Sequence, residues 1–187
     1  MLNKKEFARI GDELSRSEKE REALIQKSRD IIGLSKRIIH ALHREDSQKA
    51  ATLVKEIKSR IKKLPSEDYR TGMRNVALQE YTEALALFIF AKEKSIPTRD
   101  ELGVDTENYL AGLCDMTGEL VRMAVNRAIK KRNDEVFEIK DLVDMIYGEF
   151  LQLDIRRGEL RKKFDQVKWN LQKLEDVAYS ISLKKSK

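Results

Sequence analysis

Helix-breaking residues are almost absent from this sequence of 187 residues, which contains only two prolines and eight glycines. Turns between strands need such residues often, whereas helix interiors exclude them. Leu, Ile, Lys, Glu and Arg are abundant instead, and all five are compatible with long helices. The composition therefore predicts an all-α protein with few, short loops.

The spacing of apolar residues and of helix caps predicts about six helices. A first helix is expected over residues 4–44 and a second from Ala50 to Leu64, ended by Pro65. Ser66 precedes two acidic residues, which predicts a helix N-cap there and a third helix to about Lys94. The remaining elements are expected as a capped turn at 98–101 and as helices over about 105–132, 136–153 and 158–182. This pattern predicts a single bundle.

We expect residues 1–187 to form one helical domain. Residues 1–26 would be a charged extension of the first helix, and residues 183–187 would be a basic tail. Cys114 is the only cysteine, so no intrachain disulfide is possible and a reducing compartment is expected. The polar start lacks the apolar core of a signal peptide, and no apolar run reaches membrane length. These features predict a soluble, cytoplasmic protein without a membrane partner.

Four acidic side chains interrupt the two most apolar stretches of the chain. Residues 75–91 contain only two charges, and residues 109–125 contain two acids and Arg122. The four acids are Glu80, Glu83, Asp115 and Glu119. A buried carboxylate costs several kcal/mol unless a cation compensates it. The pattern therefore predicts a functional site.

The spacing of the acids is typical of one shared site. Glu80 and Glu83 lie three residues apart, and Asp115 and Glu119 lie four apart, so each pair occupies one helical face. Two such helices packed together would gather four like charges, which repel unless a cation lies between them. Oxygen donors alone favour Mg²⁺ or Mn²⁺, which can activate a water against a phosphodiester. The alternative is that these acids are solvated surface residues.

Other chemistries have less support in the sequence. A di-iron bundle needs Glu-x-x-His motifs, but His40 and His43 have no glutamate three residues before them. These histidines could form a metal pair, although polar flanks or phosphate contacts fit them better. No Gly-rich phosphate loop or G-x-S-x-G motif is present. Gly112 and Gly118 lie inside a predicted helix, which indicates a close helix approach or a ligand.

Four separated blocks resemble the translin superfamily: RDIIGLSKRIIHALHR, LQEYTEALALFIF, YLAGLCDMTGELVRMAVN and LRKKFDQVKWNLQKLEDVAYSIS. They span about residues 27–183 and stand in the order of the family. QEYTE and DMTGEL resemble the branch of translin-associated factor X more than that of translin. The short chain resembles a compact archaeal or prokaryotic form.

The resemblance implies an all-α, translin-like bundle of six to seven helices that assembles into a hollow homo-oligomer of about eight subunits. It implies a Mg²⁺-dependent endoribonuclease acting on single-stranded RNA inside that shell, with single-stranded DNA as a further ligand. The family's catalytic and metal-binding acids correspond to Glu80, Glu83, Asp115 and Glu119. Glu119 would be either a further metal ligand or the general base.

Basic residues that could contact nucleic acid are spread along the chain. The resemblance points to the segment that contains Arg70 and Arg74. A net charge of +6 agrees with a polyanionic partner. Further candidates on the first and last helices are Lys36, Arg37, Arg44, Arg161 and Lys162, followed by Lys163 and Lys168. Two other functions stay open, namely a non-catalytic RNA- or DNA-binding assembly protein of the translin type and a structural or adaptor bundle.

Overall fold

The computed structural model describes residues 2–185, with side chains up to Leu183. It contains no strands in this range, which confirms the all-α prediction. Seven helices occur among these residues: α1 (Lys4–His43), α2 (Ser47–Ile61), α3 (Met73–Glu93), α4 (Arg99–Leu102), α5 (Thr106–Ile129), α6 (Asn133–Leu151) and α7 (Glu159–Lys185). The predicted basic tail at 183–187 extends α7 to Lys185, and its last two residues lie outside the described range.

The predicted start of the third helix at Ser66 is wrong, because α3 begins at Met73. Asp68, expected in the first helical turn, instead accepts hydrogen bonds from the backbone N–H groups of Gly72 (2.8 Å) and Arg74 (3.1 Å). Three residues before α3 have a left-handed backbone that interrupts any helix, namely Tyr69 (φ 50°), Arg70 (φ 57°) and Gly72 (φ 69°). The helix therefore starts only after this turn.

Other predicted boundaries are close to the observed ones. The capping box at Thr98 and Glu101 is present and opens the short helix α4. The helix predicted from about residue 136 begins three residues earlier, since Asn133 opens the first turn of α6. α5 ends at Ile129, because Lys131 has a left-handed backbone (φ 60°).

A hydrophobic core joins the second half of α1 to the other helices. α3 and α5 pack side by side in its middle, with α1 and α7 on their outer sides. α3 is buried almost all round, and residues 84–87 are fully buried. The first buried residue of α1 is Leu24, so the preceding half of this helix is exposed as the charged segment predicted there. No described helix is long and apolar enough to cross a membrane.

α3 and α5 come into backbone contact at Gly112. A Cβ atom at this position would lie 2.5 Å from Thr82 Cβ and 2.7 Å from the carbonyl oxygen of Gln79. At Gly118 a Cβ would meet only Asn170 Nδ2, at an ordinary 3.7 Å. The predicted close approach is therefore confirmed at Gly112. At Gly118 no close contact requires a glycine. The contact brings the acidic faces of the two helices together.

Candidate functional site

The four predicted acids form one electrostatic cluster between α3 and α5. The carboxyl group of Glu83 lies within interaction range of the other three, namely Asp115, Glu80 and Glu119. Burial is the main cause that raises the pKa of Glu83 to about 8, and the three neighbouring carboxylates raise it further. Burial also raises the pKa of Glu80, partly offset by Lys36. The acids are thus close together in a poorly solvated place.

Two of the acids have a lysine neighbour from another helix. Lys36 Nζ of α1 lies 3.9 Å from Glu80 Oε1. Lys163 of α7 donates a hydrogen bond to Asp115 Oδ2. Among the described residues, no cation forms an ion pair with Glu83, which makes it the least compensated acid of the cluster.

Glu119 has a different kind of partner. His43 Nε2, from the end of α1, contacts Glu119 Oε2, and Arg122 Nη1 lies 3.7 Å from the same oxygen. The hydrogen bond from His43 is the main cause that lowers the pKa of Glu119. Glu119 is therefore held as a carboxylate while Glu83 favours its protonated form, so the two acids have opposite electrostatic environments.

The acids open into two cavities. One, of about 400 Å³, lies between α1, α3 and α5 and is lined by Lys36, Ile39, His40, Glu80, Glu83, Glu119 and Arg122. The other, of about 430 Å³, lies between α5 and α7 and is lined by Cys114, Asp115, Gly118, Lys162, Lys163, Gln166 and Asn170. Asp115 therefore faces a different cavity from the other three acids, on the side of Lys163.

The donor chemistry of the cluster suits a hard divalent cation, since every candidate ligand is a carboxylate oxygen. The arrangement of side chains is not yet a ligand set. Within residues 2–183, no group of three or more His, Cys, Asp or Glu side chains is arranged to hold a metal ion. The ion pair of Asp115 with Lys163 separates this acid from the others. The metal site stays a prediction, and it requires Asp115 to exchange Lys163 for the cation.

Cys114 lies beside Asp115 on α5 but has no part in this chemistry. Its side chain is 2% exposed. Burial, aided by Asp115, raises the pKa of the thiol to about 12. The thiol is therefore protonated and packs as a small core residue.

Three of the predicted nucleic-acid residues lie at these cavities. Lys36 lines the cavity of Glu80 and Glu83. Lys162 and Lys163 line the cavity of Asp115, where Lys162 pairs with Glu159 at 2.6 Å. The side chains of Lys36 and Lys162 are exposed, whereas Lys163 is partly buried on Asp115. These three lysines are the members of the predicted set that the fold brings to the acids.

The other predicted basic residues lie elsewhere. Arg37, Arg44 and Arg70 are exposed on α1, at its C-cap and in the loop before α3. Arg74 donates to the carbonyl oxygen of Pro65 at 3.0 Å and is half-buried. Arg161 stacks over the ring of Phe164 and pairs with Asp165 at 2.9 Å. The last two therefore stabilise local structure.

His43 and Lys163 are the site residues that sequence reasoning undervalued. From the sequence, His43 is expected to be a polar flank or a phosphate contact, and Lys163 is expected to contact phosphates. One signal was available for the histidine. Lys36, His40 and His43 are spaced i, i+4, i+7 and therefore share one face of α1. That face meets the acids of α3 and α5.

The fold and the site define a class of protein, namely an all-helical bundle with an acidic cluster between its central helices. The sequence profile of the Translin family matches residues 19–185, and the chain therefore belongs to the translin family. Translin-associated protein X of Pongo abelii is 26% identical over 227 residues, which cover 96% of this chain and 78% of that protein.

Solved structures agree with this assignment. The crystal structure of apo-NeC3PO has a TM-score of 0.86 at 30% sequence identity, covering 97% of this chain and 98% of that one. A complex of AfC3PO with duplex RNA has a TM-score of 0.78 at 19% identity, covering 98% of each chain. The second likeness is one of fold alone. The predicted translin-like fold is thus confirmed.

Proposed function

We propose that this chain is a metal-dependent endoribonuclease that cleaves single-stranded RNA. The observation that carries the proposal is the convergence of four carboxylates from α3 and α5 in a poorly solvated place, where burial first and the neighbouring acids second raise the pKa of Glu83 to about 8. A cluster of this kind destabilises the fold. Buried acids with strongly shifted pKa values are typical of functional sites. One structural neighbour supports RNA as the ligand, since AfC3PO is known in a complex with duplex RNA.

The proposed cofactor is Mg²⁺, with Mn²⁺ as a substitute. Glu80, Glu83 and Asp115 would hold it, with Glu119 as a further ligand or as the general base. Bound there, such an ion supplies Lewis acidity and an activated water. Glu83 would ionise on binding it, because a divalent cation outweighs the repulsion from the neighbouring acids.

The lysines at the cavities would bind substrate phosphates. Lys36 lies at Glu80, and Lys163 lies at Asp115. An RNA backbone that runs across α1, α3, α5 and α7 would therefore meet a positive charge on both sides of the acids. Lys162 adds a third charge beside Lys163. Phosphate contacts of this kind position the strand without reading its sequence.

The assembly is part of the proposal. We propose that about eight copies form a hollow homo-oligomer that holds RNA inside, and that single-stranded DNA binds to the same surface. The exposed half of α1 offers a surface for such self-association.

Cleavage of a short end-labelled single-stranded RNA tests the proposed activity. We expect turnover with Mg²⁺ or Mn²⁺ and none in excess chelator. Asp115→Asn and Glu80→Gln should each lower the rate by about 100-fold or more. Glu107→Gln is the matched control, because Glu107 is exposed in the first turn of α5. Equal rates for parent and Asp115→Asn would refute the assignment. A duplex of the same sequence tests the strand preference.

A second function is favoured by one observation. The ion pair of Asp115 with Lys163 and the hydrogen bond between His43 and Glu119 stabilise two acids without a metal. This arrangement suits a non-catalytic RNA-binding assembly protein. Binding without turnover in saturating Mg²⁺ would select that function. A structural or adaptor bundle would be selected if RNA fails to bind even at low salt.

A further inference from the structure

We infer that His43 is a positioning residue that fixes the carboxylate of Glu119 for the reaction at this site. The inference rests on the proposed function, because it assigns His43 a part in that reaction. His43 is the last residue of α1, and its partner lies 76 positions further along the chain, on α5.

The contact is made by one defined pair of atoms. His43 Nε2 donates to Glu119 Oε2, and Arg122 approaches the same oxygen at 3.7 Å. Both contacts therefore fall on Oε2. Oε1 is left as the oxygen of Glu119 that can serve as a metal ligand or accept a proton from water. His43 thus determines which oxygen is available.

The histidine is locked in place. Its side chain is only 4% exposed, and Nδ1 is buried without a hydrogen-bond partner among the described residues. A proton on Nδ1 would be an unsatisfied buried donor, whereas a proton on Nε2 can be donated to the carboxylate of Glu119. The N–H group of the ring that makes the contact is therefore at Nε2. A ring flip would put the carbon Cε1 in the place of Nε2 and lose that bond. Because Nδ1 has no hydrogen-bond partner among the described residues, the contact at Nε2 is the polar interaction that the His43 side chain makes.

The backbone of His43 is tied to the helix that bears Glu119. Glu45, two residues after His43, pairs with Arg127 of α5. It also accepts a hydrogen bond from Arg132 Nη1 at 2.7 Å and lies 3.1 Å from Lys130 Nζ. Several charges from one segment thus anchor the end of α1 to the end of α5. These contacts hold His43, two residues before Glu45, beside the helix of Glu119.

The two lysines of the cluster are more exposed to solvent than His43 is. Lys36 is 67% exposed and lies 3.9 Å from Glu80, whereas Lys163 is 28% exposed at Asp115. Both have long side chains that can turn towards solvent or phosphate. His43 has only two side-chain torsions, and its buried side chain cannot turn towards solvent. A cation that enters the cluster can therefore displace the lysines, whereas His43 stays on Glu119.

Two substitutions separate the hydrogen bond from packing. In His43→Gln the side-chain amide can place an N–H donor near the position of Nε2, whereas His43→Leu removes the donor and keeps the bulk. We expect His43→Leu to lower kcat by about 10- to 100-fold with KM little changed, and His43→Gln to restore most of it. Ser35→Ala is the control, because Ser35 is also buried on α1 without a side-chain partner. Equal kcat for His43→Leu and the parent, or equal losses in Leu and Gln variants that melt like the parent, would overturn the inference.

A second readout does not depend on activity. Nitrogen-15 NMR of the metal-free parent should show His43 with its proton on Nε2, and Glu119→Gln should shift the signals of His43 more than those of His40. His43 signals that ignore Glu119→Gln would overturn the inference. If the parent cleaves no RNA, the proposed function fails, whereas the NMR comparison still tests the contact.

Discussion

Glu83 is the acid of the cluster whose ionisation is least compensated by a nearby cation. Its folded-state pKa of about 8 lies well above the ordinary value of 4.5, because burial and three carboxylates disfavour ionisation. Between those two pH values the folded chain retains a proton that the unfolded chain releases. The contribution of Glu83 to the stability of the fold therefore decreases as pH rises through this window and is constant on either side of it.

Replacing Glu83 by glutamine should remove that pH dependence. In chelator, we expect the Tm of Glu83→Gln to exceed that of the parent by an amount that grows from pH 5 to about 8, because the amide never ionises. Thermal unfolding at a series of pH values measures this. Glu93→Gln, an exposed change on the same helix, should give a constant offset. A Glu83→Gln difference that is the same at pH 5 and pH 9 would contradict the prediction.

At this scale the sequence predicts the acids but not their partners. Glu80 and Glu83 are conspicuous because a charge inside an apolar helix needs a reason. His43 gives no such local signal, since its contact with Glu119 joins residues 76 positions apart. Only the packing of α1 against α5 creates it. The role of each acid is therefore a property of the folded chain.

The approach of α3 to α5 determines whether the two acidic pairs meet. A Gly112→Ala substitution would place Cβ 2.5 Å from Thr82 Cβ and 2.7 Å from a backbone oxygen, neither of which can move freely. We expect the helices to separate and the free energy of unfolding to fall by about 1–3 kcal/mol. RNA cleavage should fall as well, since α3 and α5 each carry two of the acids. Urea unfolding and the cleavage assay measure these effects.

Gly118→Ala is the matched control on the same helix. Its nearest neighbour would be Asn170 Nδ2 at 3.7 Å, so space is available. Alanine stabilises a helix interior by roughly 0.5–1 kcal/mol relative to glycine, so we expect no loss of stability. Equal destabilisation by the two substitutions would show that helix contact is not the cause.

Element boundaries were predictable where the cap is local. The capping box of α4 is formed by Thr98 and Glu101, three residues apart, and is readable from sequence. The start of α3 is not, because Asp68 caps it from outside the helix across a turn with left-handed residues. The sequence pattern at Ser66 fits a helix N-cap, and it does not reveal that the following residues form a turn instead.

The whole molecule leaves half of a long helix unpacked. Before Leu24, α1 has no buried residue, yet Phe7, Ile10 and Leu14 share one face and are 56%, 38% and 67% exposed. Exposed apolar stripes of this kind usually mark an interaction surface. This is the segment that the proposed homo-oligomer would use.

Charging the apolar stripe tests that role. The triple variant Phe7→Lys, Ile10→Lys, Leu14→Lys should lower the oligomeric mass measured by light scattering and leave helical content unchanged, because the stripe does not contact the core. Ala8→Lys with Asp12→Lys adds the same charge to the opposite face and should preserve the mass. A triple variant with the parent's mass would exclude the stripe from the assembly.

Cys114 offers a practical consequence for following such an assembly. Its thiol is 2% exposed and has a pKa raised to about 12, so maleimide and nitroxide reagents will find almost no thiolate there at neutral pH. A cysteine introduced on the exposed half of α1, such as Ser15→Cys, would then be the only reactive thiol of the chain. Fluorescent or spin labels can be attached at chosen positions with the native cysteine left in place.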